Sequence, residues 1–181
     1  MWMQKNYEDG WLFHNHAWHL LHEIIKLIPK DVNNMLDFGG GTGLATAVIK
    51  AVCPYISATV ADISEENINF WNKRKLNGVV FGGKTLPFKN NSFDLVISSH
   101  VIEHSEIPEI LISEMSRVCS DKIIIAVPDG DTHFFDHKIV FDRKNFIEKI
   151  NEGIGKEKEI KSCFPVYHPH INNLVAVIGK K

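Results

Sequence analysis

Residues 35–51, MLDFGGGTGLATAVIKA, join an apolar run to a helix-forming run through a turn that contains four glycines. A strand, a glycine turn and a helix in that order bring backbone amides to the carboxyl edge of a parallel sheet, where α/β folds bind their ligands. The glycines by themselves leave three possibilities open: the turn holds a phosphate, it holds a nucleoside, or it holds no ligand.

The spacing of the glycines argues against a pyrophosphate. Gly39, Gly41 and Gly43 form the pattern G-x-G-x-G. The dinucleotide fingerprint G-x-G-x-x-G would need a glycine where Leu44 or Thr46 stands. No Gly-Lys-Ser/Thr follows the turn, so the sequence does not contain a P-loop either.

Two carboxylates flank the turn. Asp37 precedes it inside the strand, where a negative charge repels a pyrophosphate and attracts an ammonium group. Asp62 ends the next apolar run, roughly 20 residues after the turn, where a carboxylate accepts hydrogen bonds from a ribose diol. The sequence therefore indicates a ligand with a ribose, a positive charge and no diphosphate, and S-adenosylmethionine has all three properties.

Apolar runs of strand length alternate with amphipathic runs of helix length along most of the chain. The predicted strands are MLDFG, SATVADI, GVVFG, FDLVISS, DKIIIAVP, KEKEIKSCF and NNLVAVIGK. This alternation predicts an α/β three-layer sandwich, with a seven-stranded, mostly parallel sheet, antiparallel last strands and helices on both faces. We predict one domain over residues 1–181, with a helical lid at 1–32 and a ligand-binding core at 33–181.

Four segments together resemble the successive motifs of the class I S-adenosylmethionine-dependent methyltransferases, over about residues 33 to 128: LDFGGGTG, ADIS, LPFKNNSFDLVISSHVIEHSEIPEILISEMSRV and KIIIAVPD. The resemblance implies that Asp37 and the turn hold the methionine end of the cofactor and that Asp62 holds its ribose. The turn residues concerned are Gly39, Gly40, Gly41 and Gly43.

The same resemblance implies contacts to the adenine and the sulfonium. Ile63 would flank the adenine, and the backbone of Lys84, Thr85 and Leu86 would cover its edge. Ser98, Ser99 and His100 would lie beneath the sulfonium. Many members have an acidic residue that bonds the adenine amino group where this chain has Gly82, so backbone groups would have to recognise the adenine here.

Histidines are the candidate catalytic residues. Methyl transfer from a sulfonium needs alignment, desolvation and, for a hydroxyl acceptor, a general base, and histidine is the natural base near neutral pH. His100 ends a predicted strand and is the first candidate, His104 follows one helical turn later, and His133 lies in the loop after the fifth strand. The alternative for His104 is a capping or packing role in a short turn.

Three further segments could border the acceptor. The segment PDGDTHFFDHK contains His133 and His137, which would have metal-ligand spacing if this segment were helical. They could instead form a polar wall for the acceptor or lie in a solvated loop. We assign no residue to a metal. The leading segment supplies Tyr7, Trp11 and His14 as lid contacts, and Tyr167 is a candidate rim residue.

The composition of the chain indicates which kinds of partner it binds. The chain has 20 Lys and Arg against 22 Asp and Glu, a net charge of −2, which disfavours a nucleic-acid partner. No run of residues is long and apolar enough to span a bilayer, no signal-peptide core is present, and the three cysteines are scattered. We therefore predict a cytoplasmic monomer or homodimer with a small-molecule substrate.

The predicted reaction is O-methylation of a small polar acceptor, sugar-like or anionic, because no large insertion is available to build a binding surface for a macromolecule. Methylation of a quinone or lipid ring, or of a nitrogen, is the alternative within enzymes. A cofactor-binding partner protein without turnover is the alternative outside them, since Asp37, Asp62 and the glycines support binding but do not establish catalysis.

Overall fold

The computed structural model describes residues 15–130 and 136–181, with side chains from Ala17 onward. The strands are β1 Asn34–Phe38, β2 Ser57–Asp62, β3 Asn77–Val80, β4 Phe93–Ser99, β5 Cys119–Pro128, β6 Lys158–Val166 and β7 Asn173–Lys180. The helices are α1 Asn15–Lys26, α2 Leu44–Val52, α3 Ile68–Arg74, α4 Pro108–Val118 and α5 Arg143–Gly153. Two short 3-10 helices, Glu65–Asn67 and Ile102–His104, complete the described elements.

The strands form one sheet in the order β3-β2-β1-β4-β5-β7-β6. All neighbours are parallel except that β7 is antiparallel to both β5 and β6. The predicted seven-stranded, mostly parallel fold with antiparallel last strands is confirmed. The strand order reverses direction between β1 and β4, which is the switch point where open α/β sheets bind ligands, and the glycine turn follows β1 at that point.

Each face of the sheet is covered by its own apolar cluster, because successive side chains of a strand point to opposite faces. On β1, Leu36 and Phe38 join one cluster with α4 and α5, while Met35 joins the other with α1 and α2. Strand β5 divides in the same way, with Ile123 and Ile125 on one face and Ile124 on the other. The helices therefore lie on both faces, as the sequence predicts.

Local geometry departs from the predicted helices at two places. The helix after Asp62 begins with the 3-10 helix Glu65–Asn67 before α3 starts. His100 and His104 are not on one helix: His100 has a φ of 56°, and only Ile102–His104 form a 3-10 helix. The boundary between a lid at 1–32 and a core at 33–181 stays a prediction, since residues 1–14 lie outside the described part.

None of the helices in the described part of the chain combines the length and the apolar character needed to cross a bilayer.

Candidate functional site

The glycine turn is fastened to strand β2 and to helix α3. The amides of Gly39 and Gly40 both donate to the carbonyl of Ala61, at 2.7 and 3.3 Å. The buried indole of Trp71 donates its Nε1–H to the carbonyl of Gly41 at 2.8 Å. Gly39 and Gly41 have φ values of 73° and 52°, which side chains other than glycine rarely adopt. The turn is thus a fixed backbone surface at the carboxyl edge of the sheet.

Asp62 is held at the lip of the turn by three donors. Its Oδ2 accepts from the amide of Gly41 at 2.9 Å. Its Oδ1 accepts from the amide of Ser64 and from the side-chain amide of Asn67, each at 3.0 Å. A carboxylate offers about four acceptor positions, so capacity remains for a ligand hydroxyl. The side chain is therefore oriented before any ligand binds.

Asp37 lies beneath the turn as a buried carboxyl group. Its Oδ2 accepts from the hydroxyl of Thr46 at 2.5 Å. Burial raises the pKa of Asp37 to about 6; the Thr46 hydrogen bond opposes this shift and the charge of Asp62 adds to it. A positive charge nearby lowers the pKa of a carboxyl group, so a cationic group that approaches Asp37 keeps it in its charged form.

A cavity of about 630 Å³ opens beside the turn and Asp62 and reaches the loop after β4. Ligand sites in proteins have volumes of this size. Its walls combine apolar and polar side chains and are formed by Phe38, Gly39, Gly41, Asp62, Ile63, Ser64, Glu66, Asn67, Phe70, Phe81, Gly83, His100, Val101, His104, Ser105, Leu111 and Asp136.

His100, which lines the cavity, and Glu103 form a buried pair. The distance from His100 Nδ1 to Glu103 Oε1 is 3.5 Å, and the side chains are 12% and 1% exposed. Burial raises the pKa of Glu103 to about 8, and the charge of Asp136 adds to the shift. A carboxyl group with this pKa is mostly neutral at pH 7.

His104 contacts two residues of the segment that follows the undescribed residues 131–135. Its Nδ1 lies 3.2 Å from Oδ2 of Asp136, and its ring meets that of His137 edge-on at 4.9 Å between centroids. The amides of Lys138 and Ile139 both donate to the carbonyl of Glu103, at 2.8 and 3.2 Å. Residues 136–139 are thereby fastened to the 3-10 helix.

The structure brings some of the predicted site residues to the cavity wall and leaves others away from it. The predicted residues that do not line the cavity include Asp37, Gly40, Gly43, Ser98 and Ser99, of which Ser98 is buried. The predicted residues that do line it are Gly39, Gly41, Asp62, Ile63, His100 and His104. Tyr7, Trp11, His14 and His133 lie outside the described residues.

Two further groups of predicted residues do not line the cavity. The adenine edge was expected at Lys84, Thr85 and Leu86, but Gly83 is the residue of this loop that lines the cavity. Leu86 is instead buried in the core, where its amide donates to Oε1 of Glu114. Tyr167 was expected at the rim, but it lies in the β6–β7 loop, 71% exposed and away from the cavity wall.

Sequence reasoning missed several wall residues. Asn67 and Phe70 follow Asp62 by five and eight positions, and helical periodicity past the acidic residue could have indicated them. Phe81 and Leu111 come from distant elements, so no local signal marks them. Glu103 lies between two candidate histidines in the sequence, but no local pattern marks its side chain as buried.

Comparison with known proteins agrees with this geometry. Residues 36–126 match the methyltransferase domain family, and this match covers half of the chain. The chain therefore belongs to the methyltransferase domain family. The cofactor that the sequence resemblance implies, S-adenosylmethionine, agrees with this match.

Two curated relatives share about a third of their aligned residues with the chain. An uncharacterised protein of Methanocaldococcus jannaschii is 34% identical over 107 residues, which are 58% of this chain and 48% of the relative. A malonyl-[acyl-carrier protein] O-methyltransferase of Herminiimonas arsenicoxydans is 31% identical over 98 residues, which are 54% of this chain and 36% of the relative. The chain spans about half or less of the length of these curated relatives.

Solved structures share the fold over nearly the whole chain. A protein described as a methyltransferase, in complex with the Haloferax volcanii Trm112 methyltransferase activator, has a TM-score of 0.78 at 15% identity, covering 92% of this chain and 91% of its own. A S-adenosylmethionine-dependent methyltransferase of Methanosarcina mazei has a TM-score of 0.72 at 15% identity, covering 87% of this chain and 96% of its own. At such identities the likeness establishes the fold alone.

The described residues fit the cofactor. A side chain at Gly40 would place a Cβ 2.6 Å from the Asp37 carboxyl group, so only a glycine leaves this carboxyl group in place beneath the turn. Asp62 retains acceptor capacity at the lip, and a cavity of suitable size adjoins both groups. Asp37, the glycines and Asp62 would hold the methionine end and the ribose.

Replacing Gly40 by alanine is expected to lower the free energy of unfolding by about 1–3 kcal/mol, because the new methyl group overlaps the Asp37 carboxyl group and Val60. The measurement is urea unfolding of both proteins. Gly82→Ala is the matched control: both glycines have ordinary φ values, and a Cβ at Gly82 meets no atom within 4 Å. Equal effects of the two substitutions would show that crowding at Gly40 is not the cause.

Proposed function

We propose that this protein transfers a methyl group from S-adenosylmethionine to an oxygen atom of a small polar molecule. The observation that supports this most is that one cavity is lined both by Asp62, which would accept hydrogen bonds from the ribose, and by the imidazoles of His100 and His104. Cofactor and acceptor can therefore lie in a single space, end to end, which is the arrangement that a direct displacement needs.

His100 is proposed as the general base. S-adenosylmethionine supplies an electrophilic methyl group, whose bond to sulfur breaks with both electrons remaining on the sulfur as the bond to the acceptor oxygen forms. His100 takes the hydroxyl proton that is released. Glu103, whose carboxyl group lies 3.5 Å from Nδ1, holds the imidazole in position.

The cavity wall near His100 and His104 supports a small polar acceptor. His104, Ser105 and Asp136 present hydrogen-bonding groups, and Val101 and Leu111 present apolar ones. Oxygen is favoured over nitrogen because a hydroxyl needs a base and the cavity offers imidazoles for that purpose. A relative named as an O-methyltransferase points the same way. Residues Tyr7, Trp11, His14 and His133 remain proposed acceptor contacts, in a cytoplasmic monomer or homodimer.

The test is a release assay for S-adenosylhomocysteine. The purified full chain is incubated with S-adenosylmethionine and panels of hydroxylated acids, sugars, phenols, quinols and amines. We expect turnover with a hydroxylated polar class. Turnover confined to amines or to quinols would overturn the acceptor assignment.

A second function, cofactor binding without independent turnover, is supported by one comparison. The methyltransferase-like neighbour from Haloferax volcanii was solved with an activator protein. If this chain binds S-adenosylhomocysteine but no acceptor is methylated, a partner-dependent or non-catalytic role is favoured.

Asp37→Asn is expected to stabilise the protein more at pH 7.5 than at pH 4.5. The pKa of Asp37 is raised to about 6 in the folded chain, so between about pH 4 and 6 the folded chain binds more protons than the unfolded one. Wild-type stability therefore falls by about 2 kcal/mol between pH 4.5 and pH 7.5, while asparagine does not titrate. Urea unfolding at both pH values measures the difference between the proteins.

The same substitution is expected to weaken the binding of S-adenosylhomocysteine at pH 7.5, because the charge that would face its ammonium group is lost. A stability difference that does not change with pH would contradict the raised pKa of Asp37.

A further inference from the structure

The cluster formed by Glu103, His104 and His137 offers a second chemical site beside the cavity. One potential ligand atom from each of these residues lies within 4.8 Å of the others. Two imidazole nitrogens and one carboxylate oxygen form a donor set typical of divalent transition metals, zinc and iron among them.

The burial of Glu103 supports a metal site independently of the distances within the cluster. Its side chain is 1% exposed, and among the described residues neither carboxylate oxygen has a hydrogen-bond partner. Burying a carboxyl group without hydrogen bonds is costly, and proteins that retain one normally pair it or use it to coordinate a metal. The neighbouring His100 approaches Oε1 at 3.5 Å, while Oε2 has no hydrogen-bond partner among the described residues.

The backbone holds the three residues together. Glu103 and His104 are consecutive in the 3-10 helix, and His137 is brought to them by the hydrogen bonds of Lys138 and Ile139 to the carbonyl of Glu103. Asp136 lies 3.2 Å from Nδ1 of His104, which is the position of a carboxylate that orients a metal-ligating imidazole. In a tetrahedral zinc site the ligand atoms are roughly 3.4 Å apart. Side-chain rotations that move the three ligand atoms by about 1 Å would bring them to this separation.

We propose that Glu103, His104 and His137 bind one divalent transition-metal ion at the acceptor end of the cavity. His104 and Asp136 line the cavity, so an ion held there borders the acceptor space. The sequence alone assigned no metal, because the pairing that it suggested was His133 with His137.

The role of the ion rests on the proposed methyl transfer. A cation at this place would bind an acceptor oxygen directly and lower the pKa of its hydroxyl, which eases proton transfer to His100. The acceptor class would then be molecules with two adjacent oxygen donors, such as hydroxy acids or diols.

Metal titration of the full chain tests the site without cofactor or acceptor, so its failure is distinct from failure of the proposed function. After dialysis against a chelator, the protein is titrated with ZnCl2 by calorimetry and with CoCl2 by visible absorption. We expect one ion per chain, with at least about tenfold weaker binding in His137→Ala and in Glu103→Gln. His137→Ala alters a partly buried loop residue and provides the test even if Glu103→Gln fails to fold.

The matched control is the double variant His168→Ala/His170→Ala. These histidines form another close pair in the β6–β7 loop, with ring centroids 5.4 Å apart. We expect this variant to bind zinc as the wild type does. Wild-type affinity in His137→Ala, or loss of binding only in the His168/His170 variant, would overturn the proposal.

Discussion

Replacing His100 by alanine is expected to lower kcat at least about 100-fold with the acceptor identified by the release assay, because a positioned base contributes 10² or more to such a proton transfer. His100 lines the cavity and is only 12% exposed, so bulk water is a poor substitute for its imidazole. The KM for S-adenosylmethionine should change little, since the ribose and methionine ends are held by other residues. Steady-state kinetics with both substrates separate the two parameters.

Two further measurements make this result specific. Added imidazole should restore part of the activity of His100→Ala, which a purely structural residue would not show. His22→Ala, on the exposed face of α1 with a side chain 69% exposed, should retain wild-type kcat. Wild-type turnover in His100→Ala would remove His100 as the base.

Replacing Asp62 by alanine is expected to weaken the binding of S-adenosylhomocysteine about 100-fold. Hydrogen bonds to a charged group contribute about 1.5–3 kcal/mol each, and each 1.4 kcal/mol is a factor of ten in affinity. The substitution also leaves the amides of Gly41 and Ser64 without their acceptor, so the turn loses part of its support. Calorimetric titration of both proteins measures the change.

Asp94→Ala is the matched control. Its Oδ2 also accepts from two backbone amides, those of Asn33 and Asn34, but at the amino end of β1 and β4, away from the cavity. We expect this variant to lose some stability and to keep its affinity. If both variants bind equally well, the carboxylate of Asp62 does not hold the ribose.

The sheet and the cofactor side of the cavity could be predicted because their signals are local. Strand periodicity and the turn glycines place β1 and the start of α2, and Asp62 follows by a spacing that is set within one strand-helix-strand unit. The antiparallel end of the sheet also followed from the lack of a helix between the last two strands.

The acceptor side could not be predicted in the same way, because it depends on contacts between distant segments. His100 and His104 were expected one helical turn apart, but the positive φ of His100 separates the strand from the 3-10 helix. The 3-10 helix that contains Glu103 is fastened by Lys138 and Ile139, which donate to the carbonyl of Glu103 from a segment more than 30 residues away. The position of Tyr167 likewise depends on the pairing of β6 with β7 rather than on local pattern.

The most direct test of the central claim is a calorimetric titration of the wild-type chain with S-adenosylhomocysteine at pH 7.5, with Asp62→Ala in parallel. The geometry predicts saturable binding of one molecule per chain and about 100-fold weaker binding by the variant. No saturable binding by a folded wild-type chain, or equal binding by both proteins, would contradict the assignment of the glycine turn and Asp62 as the cofactor site.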